Sequence, residues 1–98
     1  MKKHNNDTMS LAVYLVVEKP NRQLQQTLAD MHKQEPIVSI RKQPTGNIEA
    51  WSRKCKESDA DGKMYDVYTR SMIDTASGII IGSREERQLL NNNMINFR

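Results

Sequence analysis

Four side chains in the middle of the chain have the chemistry of a binding surface: Trp51, Arg53, Tyr68 and Arg70. We predict that they lie on adjacent strands and share one face of a sheet, because side chains alternate along a strand with a period of two. Rings and guanidinium groups on such a face can stack bases and neutralise phosphates, as in binders of single-stranded nucleic acids. Trp, Tyr and Arg are also the residues most enriched in protein-interface hot spots.

A third interpretation is that these groups satisfy one another inside the fold. Arg53 or Arg70 would then stack on Trp51 or Tyr68, and a helix would cover part of the face. The sequence leaves open whether the face is exposed or internally packed. We predict that these four residues bind a partner.

Other reactive side chains do not combine into a known type of site. His4, His32 and Cys55 lack the spacing of metal ligands, so the sequence predicts no metal site. His32 is expected near the C-terminal end of a helix, where its charge suits the helix dipole. Cys55 lies between two lysines, but no base can be assigned to it, so it is interpreted as structural rather than nucleophilic.

Two short motifs have simpler explanations than ligand binding. Asp59 to Gly62 (D-A-D-G) resembles the start of a calcium loop, but the further ligands of an EF-hand are missing and D-G is a common hairpin turn. Gly78 and Gly82 bracket three isoleucines without a nucleotide-binding pattern. We therefore expect no cofactor and no enzymatic activity.

Composition limits the class of protein. The chain has 98 residues, a net charge of +3 and one cysteine. This balance excludes a DNA-mimicking inhibitor, which needs a strongly acidic surface, and it permits an anionic partner. A single cysteine fits a reducing compartment, and the apolar run Leu11–Val17 is too short to cross a membrane, so we expect a cytoplasmic protein without membrane association. A domain this small could complete its core by forming a homo-oligomer.

The first half of the chain predicts one strand and one helix. Leu11–Val17 (L-A-V-Y-L-V-V) is apolar throughout, which is typical of a strand buried on both faces inside a sheet. In residues 21–34, apolar side chains recur at helical spacing, after a possible N-cap at Asn21. The helix should end before Pro36. We predict a flexible tail over residues 1–8 and a single domain over residues 9–98.

The stretch from Pro36 to Ser83 predicts a β-meander, because three turn-prone clusters separate segments rich in β-branched and aromatic residues. A loop at residues 44–47 would place Gln43 opposite Ile48. The next loop is either a two-residue Asp61-Gly62 turn or a four-residue loop at residues 59–62. Residues 46–58 could alternatively form a helix. If they form a strand, the segment near Ile48 to Lys56 is expected at a sheet edge.

Both choices for the second loop give the meander the same two faces. The aliphatic face, expected to meet the helices, holds Ile37, Ile48, Ala50, Tyr65, Val67 and Ile73. The mixed face holds Val38, Ile40, Lys42, Trp51, Arg53, Cys55, Met64, Tyr68, Arg70 and Met72.

The last element is predicted as a helix that follows a short buried strand, Ile79–Ile81. Ser83 to Glu86 (S-R-E-E) is a capping box, and Leu90, Met94 and Phe97 would give the helix an apolar side. The predicted fold is α+β, with a small antiparallel sheet of four to five strands in the order β-α-β-β-β-β-α and two helices packed on one face.

Function is predicted on this basis as non-enzymatic regulation by protein–protein binding. A bacterial or phage modulator, such as an antirepressor or an inhibitor of a DNA-processing protein, suits the profile. The alternative is a module that binds single-stranded nucleic acid with its basic and aromatic sheet face.

Overall fold

An antiparallel sheet and two helices make up the fold in this computed structural model, which describes residues 8–90. The elements follow one another as β1 (Thr8–Met9), α1 (Leu11–Glu18), α2 (Arg22–Gln34), β2 (Ile37–Lys42), β3 (Asn47–Ser58), β4 (Met64–Asp74) and β5 (Ile80–Leu89). The five strands lie in the sheet in chain order. The α+β class is therefore confirmed, but the predicted order of elements is wrong at both ends. Most of the predicted tail, residues 1–7, lies outside the described residues.

Leu11–Val17 is a helix rather than the predicted internal strand. Ser10 caps its start, because its hydroxyl accepts a hydrogen bond from the N–H of Val13 at 3.2 Å. Tyr14 is the buried residue of α1. A continuous apolar run has no period that separates strand from helix, so the cap and the position beside the core decide its structure.

Helix α2 agrees with the prediction. The Asn21 side chain accepts a hydrogen bond from the N–H of Leu24 at 2.8 Å and caps the helix. Leu24 and Leu28 are buried, and Met31 packs against the same core cluster. Neither helix within residues 8–90 is long and apolar enough to cross a membrane.

The β2–β3 hairpin differs by one residue from the predicted register. Gln43 and Asn47 are paired through a hydrogen bond of 2.9 Å, so the loop has three residues, 44–46, rather than four. Gly46 closes it with a φ of +97°, the geometry of a turn followed by a left-handed glycine. Ile48 consequently lies opposite Lys42 instead of Gln43.

The β3–β4 hairpin uses the same type of loop. Asp59 and Lys63 are hydrogen-bonded at 3.0 Å, and Gly62 has a φ of +85°. Three residues therefore separate the paired positions, which neither of the two predicted loops provides. Residues 46–58 contribute the strand β3, not a helix, and β3 is central in the sheet rather than at an edge.

These registers move three residues off the predicted mixed face. Ile40 lies opposite Ala50 and is fully buried in the core, and Lys42 is on the same side, where its ammonium contacts Glu18 at 2.9 Å. A bulge between Arg53 and Cys55 turns Cys55 toward the side of Val67. The core cluster joins both helices to one sheet face and comprises Tyr14, Leu24, Leu28, Ile37, Ile40, Ile48, Ala50 and Ile73.

The predicted C-terminal helix is wrong where the structure describes it, because residues 80–89 form β5. The groups of the capping box make cross-strand contacts instead. Ser83 Oγ lies 3.0 Å from Ser71 Oγ, and Glu86 accepts a hydrogen bond from Arg70 at 2.9 Å. Tertiary contacts thus override a local helix signal. The rest of the predicted helix, residues 91–97, lies outside the described residues.

Gly78 is the contact point between the β4–β5 loop and α2. Its φ is +73°, and a Cβ atom there would lie 2.9 Å from the backbone carbonyl carbon of Gln23. Thr27 Oγ1 donates a hydrogen bond to the Gly78 carbonyl at 2.7 Å. The loop therefore holds the helix against the sheet only if residue 78 lacks a side chain.

We expect Gly78→Ala to lower the free energy of unfolding by at least about 2 kcal/mol, since left-handed strain and a backbone clash add together. Gly46→Ala is the matched control, because Gly46 also has positive φ but a Cβ there meets no atom within 4 Å. It should lose only about 1 kcal/mol. Urea denaturation measures both values, and equal losses would contradict the contact with α2.

Asp74 makes the stability of the same loop depend on pH. Hydrogen bonds from the Ser77 hydroxyl at 2.6 Å and from the Ser77 N–H at 3.1 Å hold the pKa of the Asp74 carboxyl below its usual value. A lowered folded-state pKa means that the carboxylate stabilises the fold above about pH 4, and that this contribution is lost as pH falls through the folded pKa.

Asp74→Asn should therefore reduce the fall in the urea midpoint between pH 7 and pH 3, because the variant keeps an acceptor oxygen but no longer titrates. Asp61→Asn, an exposed position in the β3–β4 loop, serves as the control. A fall as large in Asp74→Asn as in the unchanged protein would show that Asp74 is not linked to folding.

Candidate functional site

The sheet face opposite the core cluster carries all four predicted binding residues, and we name it the open face. Register places Trp51 opposite Arg70 and Arg53 opposite Tyr68 on β3 and β4. The two rings meet edge to face, with centroids 5.7 Å apart and planes at 69°. The aromatic and charged residues at its centre include Arg41, Glu49, Trp51, Arg53, Asp66, Tyr68, Arg70, Arg84 and Glu86.

Guanidinium groups cover the rings of the open face. Arg41 and Arg70 lie 5.4 Å and 5.7 Å from the centroid of Trp51, and Arg53 lies 5.7 Å from that of Tyr68. Trp51 is only 8% exposed although it lies on the face opposite the core cluster. Internal stacking, one of the three interpretations, is thus present, with the strand β5 beside it instead of a helix.

A buried carboxylate organises these arginines. Glu49 is 6% exposed, accepts a hydrogen bond from Trp51 Nε1 at 3.1 Å, and forms an ion pair with Arg70 at 3.2 Å. Arg70 also contacts Glu86 on β5 at 2.9 Å, and Arg84 contacts the same carboxylate at 3.1 Å. Charged groups therefore link β3, β4 and β5 in one continuous network.

A second buried carboxylate lies beside Arg53. Asp66 is 7% exposed and accepts a hydrogen bond from the Tyr68 hydroxyl at 3.3 Å. Its other oxygen, Oδ1, is 3.9 Å from the Arg53 guanidinium and has no hydrogen-bond partner within residues 8–90. Arg53 is consequently attracted to Asp66 without using its N–H donors on it.

Glu49 and Asp66 are absent from the binding residues predicted from the sequence, although a signal for them was present. The pattern acid-x-aromatic-x-Arg occurs twice, as E-A-W-S-R at residues 49–53 and as D-V-Y-T-R at residues 66–70. In an extended strand, all three residues of each pattern share a face. An acid two positions before each ring would have identified the partners of the arginines.

The remaining reactive side chains have local roles or none. His32 Nδ1 accepts a hydrogen bond from the N–H of Ile37 at 3.0 Å where α2 meets β2. The Asp59 carboxylate accepts bonds from the N–H groups of Lys63 and Asp61, both at 2.9 Å, and these bonds lower its pKa within an ordinary turn. Cys55 is a free, exposed thiol. Within residues 8–90, no group of three or more potential ligands is placed to hold a metal ion.

Comparison with protein-family models, curated proteins and solved structures finds no match to this chain. Chemically, the open face presents ordered guanidinium donors beside aromatic rings that are themselves covered by the arginines.

The two arginines of the repeated pattern should differ in their effect on stability. Arg70→Met would leave the buried Glu49 carboxylate without its cation, so we expect the free energy of unfolding to fall by about 2 kcal/mol. Arg53→Met also removes a cation from beside a buried acid, but Arg53 is 45% exposed and its guanidinium lies 3.9 Å from Asp66, too far for a hydrogen bond, so the variant should cost less, about 1 kcal/mol.

Chemical denaturation of the two variants provides the measurement. Equal losses would mean that the Glu49 network does not support the open face. The double variant Glu49→Gln, Arg70→Met should recover part of the loss, because it removes the unpaired charge together with the cation.

Proposed function

We propose that this protein is a small, non-enzymatic regulator that binds another protein through the open face. In this proposal, Arg41 and Arg53 bind carboxylates of the partner, while Trp51, Tyr68 and Arg70 hold the surface in shape. The lack of any catalytic or cofactor motif in the sequence supports a binding role. We further propose that it acts in the cytoplasm, since an exposed free cysteine suits a reducing compartment.

The proposal rests on how the guanidinium groups of Arg41 and Arg53 are held and on which of their hydrogen-bond donors are unused. Each guanidinium lies over an aromatic ring, which restricts its orientation. Within residues 8–90, Arg41 has no salt bridge, and the approach of Arg53 to Asp66 is too long for a hydrogen bond. Their N–H donors are therefore ordered but unused by carboxylates of the described chain. Such preorganised forks fit carboxylates bidentately at a low entropic cost.

The charge balance of the open face favours a protein over a nucleic acid. Three acids, Glu49, Asp66 and Glu86, lie among the arginines and reduce the positive potential that a phosphate backbone needs. The faces of Trp51 and Tyr68 are occupied by guanidinium groups, so the rings offer little surface for base stacking. Mixed charge around an aromatic centre is instead typical of a protein interface.

Single-stranded nucleic acid remains the second candidate, because four arginines share the open face: Arg41, Arg53, Arg70 and Arg84. A guanidinium binds phosphate as readily as carboxylate. The two candidates differ in how binding responds to nuclease treatment and to salt, because release of counterions from a nucleic acid makes its affinity fall steeply with salt.

The test compares two variants that remove the same charge. Arg41→Gln, Arg53→Gln alters the open face, and Arg22→Gln, Lys33→Gln alters exposed positions of α2. Each should be used as bait in nuclease-treated lysate of the source cells, with the unchanged protein alongside. We expect the unchanged protein and the α2 variant to retain one stoichiometric protein, and the open-face variant to lose at least about 90% of it.

Equal retention by the two variants would overturn the role of Arg41 and Arg53. Loss of every partner after nuclease treatment, together with steeply salt-dependent binding of single-stranded oligonucleotides, would favour the nucleic-acid candidate instead. Thermal unfolding of the variants shows whether the fold is intact, since exposed cation–π contacts contribute only about 0.5–1 kcal/mol each.

A further inference from the structure

The outer edge of β5 is open and apolar at both ends. β5 is the last strand of the sheet, and within residues 8–90 no other strand pairs with its outer side. It is 10 residues long and contains no proline. Ile80, Ile81 and Leu89 are 43%, 57% and 55% exposed. A long edge strand with exposed apolar residues is a template for pairing with another strand.

The direction of the free backbone groups on this edge follows from the β4–β5 ladder. Leu90 N–H donates to the Met64 carbonyl at 2.9 Å, and the register continues through Leu89 opposite Tyr65. Since backbone groups alternate along an antiparallel strand, the even-numbered residues of β5 turn toward β4. Ser83, Glu85, Arg87 and Leu89 therefore present their N–H and C=O groups outward.

We propose that β5 pairs with β5 of a second copy of this chain, antiparallel and about a twofold axis at Glu85. The two sheets would then join into one continuous sheet. Outward-facing residues must be hydrogen-bonded to outward-facing residues, which limits the twofold axis to positions at a residue and excludes positions between two residues. Side-chain complementarity then selects among them.

When the twofold axis passes through Glu85, charged residues face residues of opposite charge in the second copy, and apolar residues face apolar residues. Arg84 lies opposite Glu86 of the second copy, and symmetry repeats this pairing of opposite charges. Arg84 and Glu86 already contact each other at 3.1 Å within one chain, so the dimer would join two such pairs into one cluster. Ile81 lies opposite Leu89 of the second copy, also twice, so exposed apolar side chains at the two ends of β5 cover each other. Glu85 meets Glu85 of the second copy on the axis, but each carboxylate already pairs with Lys54 of its own chain.

The neighbouring registers are poorer. Centring on Arg84 places two arginines on the axis and Ile81 opposite Arg87 of the second copy. Centring on Glu86 pairs Glu85 with Arg87 of the second copy and places two Glu86 carboxylates on the axis, each already held by Arg70 and Arg84 of its own chain. It leaves Leu89 opposite Ser83 of the second copy, so the exposed apolar side chains no longer cover each other. Of these three registers, the one centred on Glu85 therefore fits the sequence of β5 best.

A twofold pairing also ends growth at two copies. The interface is isologous, so each copy uses the only long open edge found within residues 8–90. At the other end of the sheet, β1 has two residues and offers little template for further addition.

Cysteine cross-linking tests the register. Four single variants in a Cys55→Ser background, Arg84→Cys, Glu85→Cys, Glu86→Cys and Arg87→Cys, should be oxidised under mild conditions. A hydrogen-bonded pair on the axis has Cα atoms about 5.5 Å apart, which suits a disulfide. We expect Glu85→Cys to form a covalent dimer and the other three to remain largely uncross-linked. Preferential cross-linking at 84, 86 or 87 would overturn the register.

Charge exchange tests the pairing by sedimentation equilibrium without cross-links. Arg84→Glu should raise the dimer dissociation constant at least about tenfold, because it places Glu opposite Glu86 of the second copy. The exchange Arg84→Glu, Glu86→Arg should restore dimerisation, and it keeps a carboxylate opposite Arg70 within the chain.

A protein that is monomeric at all concentrations would overturn the proposal. So would an unchanged dimer in Arg84→Glu, since another surface would then mediate association. Circular dichroism of each variant confirms that the monomer is folded before its association is measured.

Discussion

The Glu49 carboxylate, held between the Trp51 indole N–H and the Arg70 guanidinium, is the contact on which the open face depends. The core cluster occupies the opposite face of the sheet, so Trp51 must be covered by side chains of the sheet itself. Arginine can do this because its planar group stacks on a ring while its N–H donors remain available. The buried acid fixes Arg70 over the ring, and Glu86 extends the same network to β5.

This arrangement explains why the site could be predicted in part. The β3–β4 register is uninterrupted from Asn47 to Arg53, so the four predicted binding residues share one face. Side chains alternate with a period of two, so this result does not depend on the exact length of the loop. The face on which Ile40 lies was not predicted correctly, because the loop before β3 is one residue shorter than expected. The face of Cys55 was also predicted wrongly, because the bulge after Arg53 has no recognisable signal in the sequence.

The two ends of the chain show a different limit. Leu11–Val17 and Ser83–Glu86 carry strong local signals, for a buried strand and for a helix start, and both signals are overridden. In Leu11–Val17, the Ser10 cap and the burial of Tyr14 favour a helix. In the second, Ser83 and Glu86 contact Ser71 and Arg70 on β4, and Lys54 of β3 reaches Glu85 across β4. Contacts between residues far apart in sequence cannot be found from a window of neighbours.

The two proposed surfaces are connected through β5. Arg84 and Glu86 lie on the same side of the sheet as Trp51, so they belong to the open face and also to the edge that would meet a second copy. Pairing about an axis perpendicular to the sheet keeps equivalent faces on the same side. A dimer would therefore present two open faces next to each other, each with its own Arg41 and Arg53. A symmetric or repetitive acidic partner would engage both at once, and the second contact would form at a high effective concentration. Weak recognition by a few arginines on each copy would then be sufficient for stable binding by the pair.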